Sequence, residues 1–134
     1  MVSAHAAKAY ARIGLETGVA AASPQRLIVM LYDGALAALA DARGHMLEGR
    51  TALKGRAIGK AISIVDEGLK AALDVDQGGA IARQLIDLYD YIGHRLLLAN
   101  LRDDVSLLDE ASRLLGELRA AWQTLVERQP TPAY

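Results

Sequence analysis

Three histidines and several aspartates are the side chains of this sequence that could bind a metal ion. A di-iron site in a helical bundle requires a Glu-x-x-His motif on each of two helices, together with two further inward carboxylates. The sequence has no such motif, and its nearest pairs are Asp41 with His45 and Asp90 with His94. Because each pair is four residues apart on a helix face, we interpret both as surface ion pairs. We therefore expect no metal and no cofactor.

Residues for nucleophilic catalysis are also not arranged together. Ser63, Ser106 and Ser112 fall in stretches with helical periodicity, and no histidine lies near them in the sequence to act as a base. Gly78-Gly79 lacks the rest of any phosphate-binding fingerprint. These observations predict a protein that is not an enzyme.

The charge balance and composition exclude several classes of partner. Lys and Arg number 15 against 16 Asp and Glu, without a basic stripe, so a nucleic-acid role has no electrostatic basis. Because no run of about 18 apolar residues occurs, we expect no membrane insertion. The chain contains no cysteine, which excludes disulfides and suits the reducing cytosol. We therefore expect a cytoplasmic protein, and the dominance of alanine and leucine favours helix.

The helices that must position any functional side chain begin at Ser23. This serine can cap the free N–H groups of a first turn that starts with Pro24. Apolar residues at spacings of three and four then predict a helix over about residues 24–47, which Gly49 ends.

Three further apolar stripes predict three more helices. The second helix follows Thr51, residues 74–79 form a loop, and the third helix ends near Asn100, with Asp103 or Asp104 capping the fourth. The predicted inward positions of these helices are, in order, Ile58, Ala61, Ile62, Val65, Leu69, Ala72 and Leu73; Ile81, Leu85, Leu88, Ile92, Leu96 and Ala99; and Leu108, Ala111, Leu115, Leu118, Trp122 and Leu125.

Four helices joined by short turns predict an all-α fold, an antiparallel up-down four-helix bundle. We predict a single domain over residues 1–134, with the bundle at 23–128. Residues 1–22 are predicted to be an N-terminal cap segment, because glycines interrupt its apolar pattern and no helix cap anchors it. Residues 129–134, which contain two prolines, are predicted to be a frayed tail.

Apolar surface beyond the needs of one helix seam indicates a partner. Residues 27–32 are apolar or aromatic on all sides, and such a helix is either deeply buried or keeps a face for a partner. Tyr89 and Tyr91 flank Asp90 and allow two interpretations. Their rings lie at the core margin with the hydroxyls in water, or they belong to a groove for an amphipathic partner helix.

The order of short motifs along the chain closely resembles the flagellar secretion chaperone family FliS. Gly93-His94 departs from the family pattern, because a basic residue commonly precedes the position matched by Arg95, so any family contact made by that charge is in doubt here. The motifs that carry the resemblance are Ala9-Tyr10, Glu16-Thr17, Ala22-Ser23-Pro24, Met30-Leu31-Tyr32-Asp33-Gly34-Ala35, Lys60-Ala61-Ile62, Leu88-Tyr89-Asp90-Tyr91, Ala99-Asn100 and Trp122.

The resemblance implies a non-catalytic four-helix bundle that acts as an export chaperone in the bacterial cytosol. Family members bind the C-terminal segment of flagellin, prevent its premature polymerisation and aid its delivery to the flagellar export gate. The family's N-terminal segment can lie across the client-binding surface, which maps here to residues around Tyr10. The residues that we expect to bind the partner are Tyr10, Ile13, Leu27, Met30, Leu31, Tyr32, Tyr89 and Tyr91.

An alternative of a different class is a non-catalytic structural bundle that self-associates through the same apolar arcs, for example as a weak homodimer. Size-exclusion chromatography with and without flagellin separates the two interpretations.

We predict that a chain starting at Ala21 keeps its helical spectrum and cooperative melt but changes its flagellin affinity. If Tyr10 and Ile13 shield the apolar arc near Leu27 and Leu31, they occupy space that a client helix needs, and their removal exposes it. Titration calorimetry beside thermal unfolding measures both properties. A truncated chain that melts, or whose affinity is unchanged, contradicts the cover hypothesis.

Overall fold

The computed structural model describes residues 23–128, and our predictions for residues 1–22 and 129–134 lie outside this range. Within it the chain forms four helices and no strand. Helix α2 changes at its C-terminal end from an α-helix to a wider π-helix. The helices are α1 at Pro24–Leu47, α2 at Thr51–Ser63 with its π-helical continuation at Ile64–Lys70, α3 at Val75–Arg102 and α4 at Val105–Arg128.

The helix contacts define an up-down bundle. Both α1 and α3 pack against α2 and against α4, so α1 and α3 stand at opposite corners. The connections at residues 48–50, 71–74 and 103–104 are short, and short connections make consecutive helices antiparallel neighbours. The predicted fold class, an all-α antiparallel four-helix bundle, is confirmed.

Most of the predicted helix ends coincide with the observed caps. The Ser23 hydroxyl accepts a hydrogen bond from the Arg26 N–H at 3.1 Å, and Gly49 takes the left-handed backbone conformation with φ 71°. Asp104 caps α4 through the Ser106 N–H at 2.9 Å. The left-handed end of α3 lies at Asp103 (φ 49°) rather than at Asn100, because α3 continues to Arg102.

The predicted loop at residues 74–79 is in part wrong. Asp74 accepts hydrogen bonds from the N–H groups of Asp76 and Gln77 and so starts α3 at Val75. Gly79 then interrupts the helix with φ 57° and ψ −132°, a combination that glycine adopts readily. The sequence signal for a loop therefore corresponds to one helical turn followed by a kink.

The kink accompanies a different inward face on α3 from the one predicted. Ile81 is 65% exposed, and Leu85 and Leu88 are only half-buried, whereas Ala82 and Tyr89 are buried. The small side chain of Ala82 and the hydrogen-bonded ring of Tyr89 occupy the inward positions instead. On α4 the predicted stripe is correct at Leu108, Ala111, Leu115 and Trp122, but Leu118 is half-buried and Leu125 is 49% exposed.

The apolar arc of α1 is mostly core. Residues 27–32 are buried except Met30, which is half-buried. Because α1 packs against α2 on one side and α4 on the other, an apolar surface wider than one seam is used within the bundle itself.

We predict that Leu115→Ala lowers the free energy of unfolding by about 2–5 kcal/mol, as the truncation of a fully buried leucine does. Leu125→Ala on the same helix is the matched control. Because Leu125 is 49% exposed, that change should stay within about 0.5 kcal/mol of the wild type. Urea denaturation measures both, and equal midpoints for the two variants would contradict the described packing of α4.

Candidate functional site

A groove of about 220 Å³ runs along the seam between α2 and α3. Apolar side chains from both helices form its walls, and carboxylates stand at one end. The residues that line it are Ile62, Val65 and Asp66 from α2 and Tyr89, Asp90, Gly93, His94 and Leu97 from α3.

Glycines keep this seam open. A Cβ atom added at Gly93 or at Gly59 would meet no atom within 4 Å, and one added at Gly55 would meet only the Asn100 side chain at 3.9 Å. Glycine in a helix interior costs about 0.5–1 kcal/mol relative to alanine. The absence of a filling side chain leaves room for the close approach of another backbone.

The wall beyond Gly93 is an exposed apolar ridge. Leu97 is 56% exposed and Leu101 is 79% exposed, and they lie four residues apart on one face of α3. Large apolar side chains that stay exposed beside a groove are typical of protein interaction sites. A groove of this kind suits an amphipathic helix with anchors every three or four residues.

The other end of the groove is charged. The Lys70 ammonium donates to Asp90 at 2.7 Å and lies 3.6 Å from Asp66, joining α2 to α3. The hydrogen bond with Asp90 raises the pKa of Lys70 above its usual value. Two carboxylates therefore share one ammonium here.

The ion pairs predicted from the histidine spacing do not form within residues 23–128. Asp90 pairs with Lys70 rather than with His94, since Lys70 reaches it from the neighbouring helix. Asp41 forms no ion pair in this part of the chain, and Nδ1 of His45 is buried without a hydrogen-bond partner. Both predicted pairs are wrong because cross-helix partners and packing decide where these side chains lie.

Beneath the groove, Tyr89 reaches into the core. Its hydroxyl lies 2.5 Å from the hydroxyl of Tyr32, in a buried hydrogen bond that joins the diagonal helices α1 and α3. Burial raises the pKa of Tyr89 to about 12 and raises that of Tyr32 further, while a smaller interaction with Trp122 lowers it. The interpretation that the Tyr89 hydroxyl reaches water is therefore wrong.

Tyr91 lies on a different seam, between α3 and α4. It is 44% exposed, and its hydroxyl donates to Glu110 at 2.7 Å. Arg95 also donates to Glu110 at 2.7 Å, and its guanidinium carbon is 5.6 Å from the centre of the Tyr91 ring. The hydrogen bond from Tyr91, followed by that from Arg95, lowers the pKa of Glu110.

The structure does not bring the predicted partner-binding residues together on one surface. Tyr10 and Ile13 lie outside the described residues, and Leu27, Leu31 and Tyr32 are buried in the core. Of the predicted residues that the structure describes, Tyr89 alone lines the groove. Their contact with a partner stays a prediction.

Sequence reasoning missed the other groove residues. The available signal was a pair of glycines, Gly59 and Gly93, inside strongly periodic helices, where glycine is unfavourable without a packing or functional reason. A second signal was Leu97, a large apolar residue outside the predicted inward stripe.

Neither a metal centre nor a membrane segment is found among residues 23–128. This part of the chain holds no cluster of three or more His, Asp or Glu side chains that could bind a metal ion. No helix within it is both long and apolar enough to cross a membrane.

Known proteins match the chain over nearly its whole length. A family described as Flagellar protein FliS matches residues 6–129. The flagellar secretion chaperone FliS of Salmonella typhimurium is 47% identical, covering 93% of both chains. FliSB of Pseudomonas aeruginosa is 45% identical over 91% of this chain and 96% of its own. FliS of Escherichia coli is 42% identical over 92% and 90%, respectively.

We predict that the free energy of unfolding falls as the pH rises above about 10. A tyrosine of the unfolded chain ionises near pH 10, whereas in the folded chain burial raises the pKa of Tyr89 to about 12. The folded state therefore keeps its proton longer than the unfolded state, and Tyr89 alone contributes a loss of about 2–3 kcal/mol by pH 12. Urea denaturation at several pH values measures it.

The double variant Tyr32→Phe/Tyr89→Phe is the control, since removing both hydroxyls leaves neither one unpaired and should be close to neutral at pH 7. Its alkaline loss should be smaller than that of the wild type. Superimposable pH profiles would mean that the tyrosine pair does not govern alkaline stability.

Proposed function

The chain belongs to the FliS family of flagellar secretion chaperones, which are not enzymes, and we propose that its client is flagellin, held by its C-terminal segment in the cytoplasm. The printed names of the relatives state a chaperone of flagellar secretion. The identity of the client, the segment bound and the site of action are the proposed part.

The observation that carries this proposal is the open groove between α2 and α3. Its apolar ridge at Leu97 and Leu101 and its glycine positions at Gly59 and Gly93 suit a helix rather than a small molecule. A client segment that is disordered when free can fold into such a groove, because the apolar surface it buries offsets the entropy lost on ordering.

Occupation of the groove explains how the client stays monomeric. A flagellin segment whose apolar face is bound to the chaperone cannot use that face to pack against other flagellins, so polymerisation is prevented. Release at the export gate then requires only that the helix leave an exchangeable surface. Met30, which is half-buried, and the predicted residues Tyr10 and Ile13 belong to the proposal as a second contact region.

We expect Gly93→Gln to weaken flagellin binding by about tenfold or more, which corresponds to about 1.4 kcal/mol. The new side chain meets no atom within 4 Å at its Cβ, so it fits the fold and extends into the groove. Because glycine is a poor helix former, the same change should leave the fold as stable or stabilise it by up to about 1 kcal/mol. Titration calorimetry and thermal unfolding measure the two effects.

Gly44→Gln is the matched control. Gly44 is an exposed helical glycine of α1 that also has no atom within 4 Å of an added Cβ, but it lies outside the groove. This variant should bind flagellin as the wild type does. Equal affinity of both variants would overturn the groove assignment, and a chain that self-associates through the groove without binding flagellin would favour the structural alternative.

A further inference from the structure

We infer that the groove between α2 and α3 binds its client helix in one direction, with the helix N-terminus at Asp66 and Asp90 and the C-terminus beside Leu101. The inference rests on the proposed function, because it takes a client helix as the occupant. It goes beyond that proposal by assigning the orientation and the charge pattern of the bound segment.

The charges at the two ends of the groove differ in sign. At one end Asp66 and Asp90 keep 62% and 55% of their side-chain surface exposed and share the single ammonium of Lys70. The neighbouring Glu67 is exposed as well. This end therefore carries a net negative charge that faces solvent.

Positive charges flank the opposite end. The Lys54 ammonium donates to the Asn100 carbonyl at 3.0 Å, which places the first part of α2 beside the last part of α3. Arg56 and Lys60 follow on exposed positions of α2 and form no ion pair within the described residues. Lys54 itself is buried and paired with Asp103, so its charge is already used.

A bound helix carries its own charge asymmetry. Its free N–H groups give the N-terminus about half a positive charge, and its free C=O groups give the C-terminus about half a negative charge. The favourable arrangement places the N-terminus at the acidic end and the C-terminus near Arg56. The client helix then runs parallel to α3 and antiparallel to α2.

This orientation specifies the chemistry of the client segment. Its apolar anchors lie against Leu97 and Leu101, and small side chains lie where Gly59 and Gly93 leave space. Its first turn lacks the acidic residues that helices often carry there, because they would repel Asp66 and Asp90. A basic residue in that turn strengthens binding.

Paramagnetic labels on a flagellin C-terminal peptide test the direction. The peptide carries a nitroxide at either end of the helix, and methyl NMR signals of the full-length chain report which end lies near which residue. We expect the N-terminal label to broaden Val65 and Ile62, and the C-terminal label to broaden Leu101. The reverse pattern, or equal broadening by both labels, would overturn the orientation while leaving the groove as the client site.

A charge variant tests the cause. Asp66→Asn removes one groove carboxylate but keeps the pair of Lys70 with Asp90, and it should weaken peptide binding by about twofold to fivefold and reduce its salt dependence. Asp41→Asn removes the same charge from an exposed position of α1 and should bind like the wild type. Equal affinities for these two variants would overturn the electrostatic cause.

Other occupants give distinct results. Absence of broadening at every groove methyl would refute the proposed client site itself, whatever the orientation. Broadening of the same methyls by a nitroxide on a second copy of the chain, without peptide, would assign the groove to self-association and overturn the inference as well.

Discussion

The hydrogen bond between Tyr32 and Tyr89 joins the two helices of the bundle that are not direct neighbours. Helices α1 and α3 stand at opposite corners, and only long side chains that meet in the centre can connect them. A buried hydroxyl without a partner is costly, so each tyrosine fixes the position of the other. Because Tyr89 also lines the groove, the same bond determines how deeply the base of the candidate site lies.

The groove shows how stability and binding compete for the same positions. Between α1 and the helices beside it, the seams are filled by large apolar side chains, whereas Gly59 and Gly93 leave part of the α2–α3 seam unfilled. A larger side chain at either position would improve helix propensity without a clash. The stability lost at these glycines is consistent with a surface kept open for binding, although the fold alone does not require it.

The extent to which the sequence predicts the structure depends on whether the deciding interaction is local. Ser23, Pro24 and Gly49 define α1 correctly, because capping depends on adjacent backbone groups. Tyr89 was misjudged because its partner Tyr32 is 57 residues away along the chain. The groove could not be located for the same reason, since it exists only when the glycines of α2 and the exposed leucine of α3 are placed side by side.

The π-helical end of α2 restricts how the length of the chain can vary. A π-helix uses i to i+5 hydrogen bonds and so accommodates more residues per turn than an α-helix. Removing one residue from Ile64–Lys70 would rotate everything after it by about 100°, turning Lys70 away from Asp90 and Leu69 out of the core. Insertions and deletions among descendants of this sequence should therefore avoid this turn, although it lies only a few residues from a surface connection where changes in length are usually harmless.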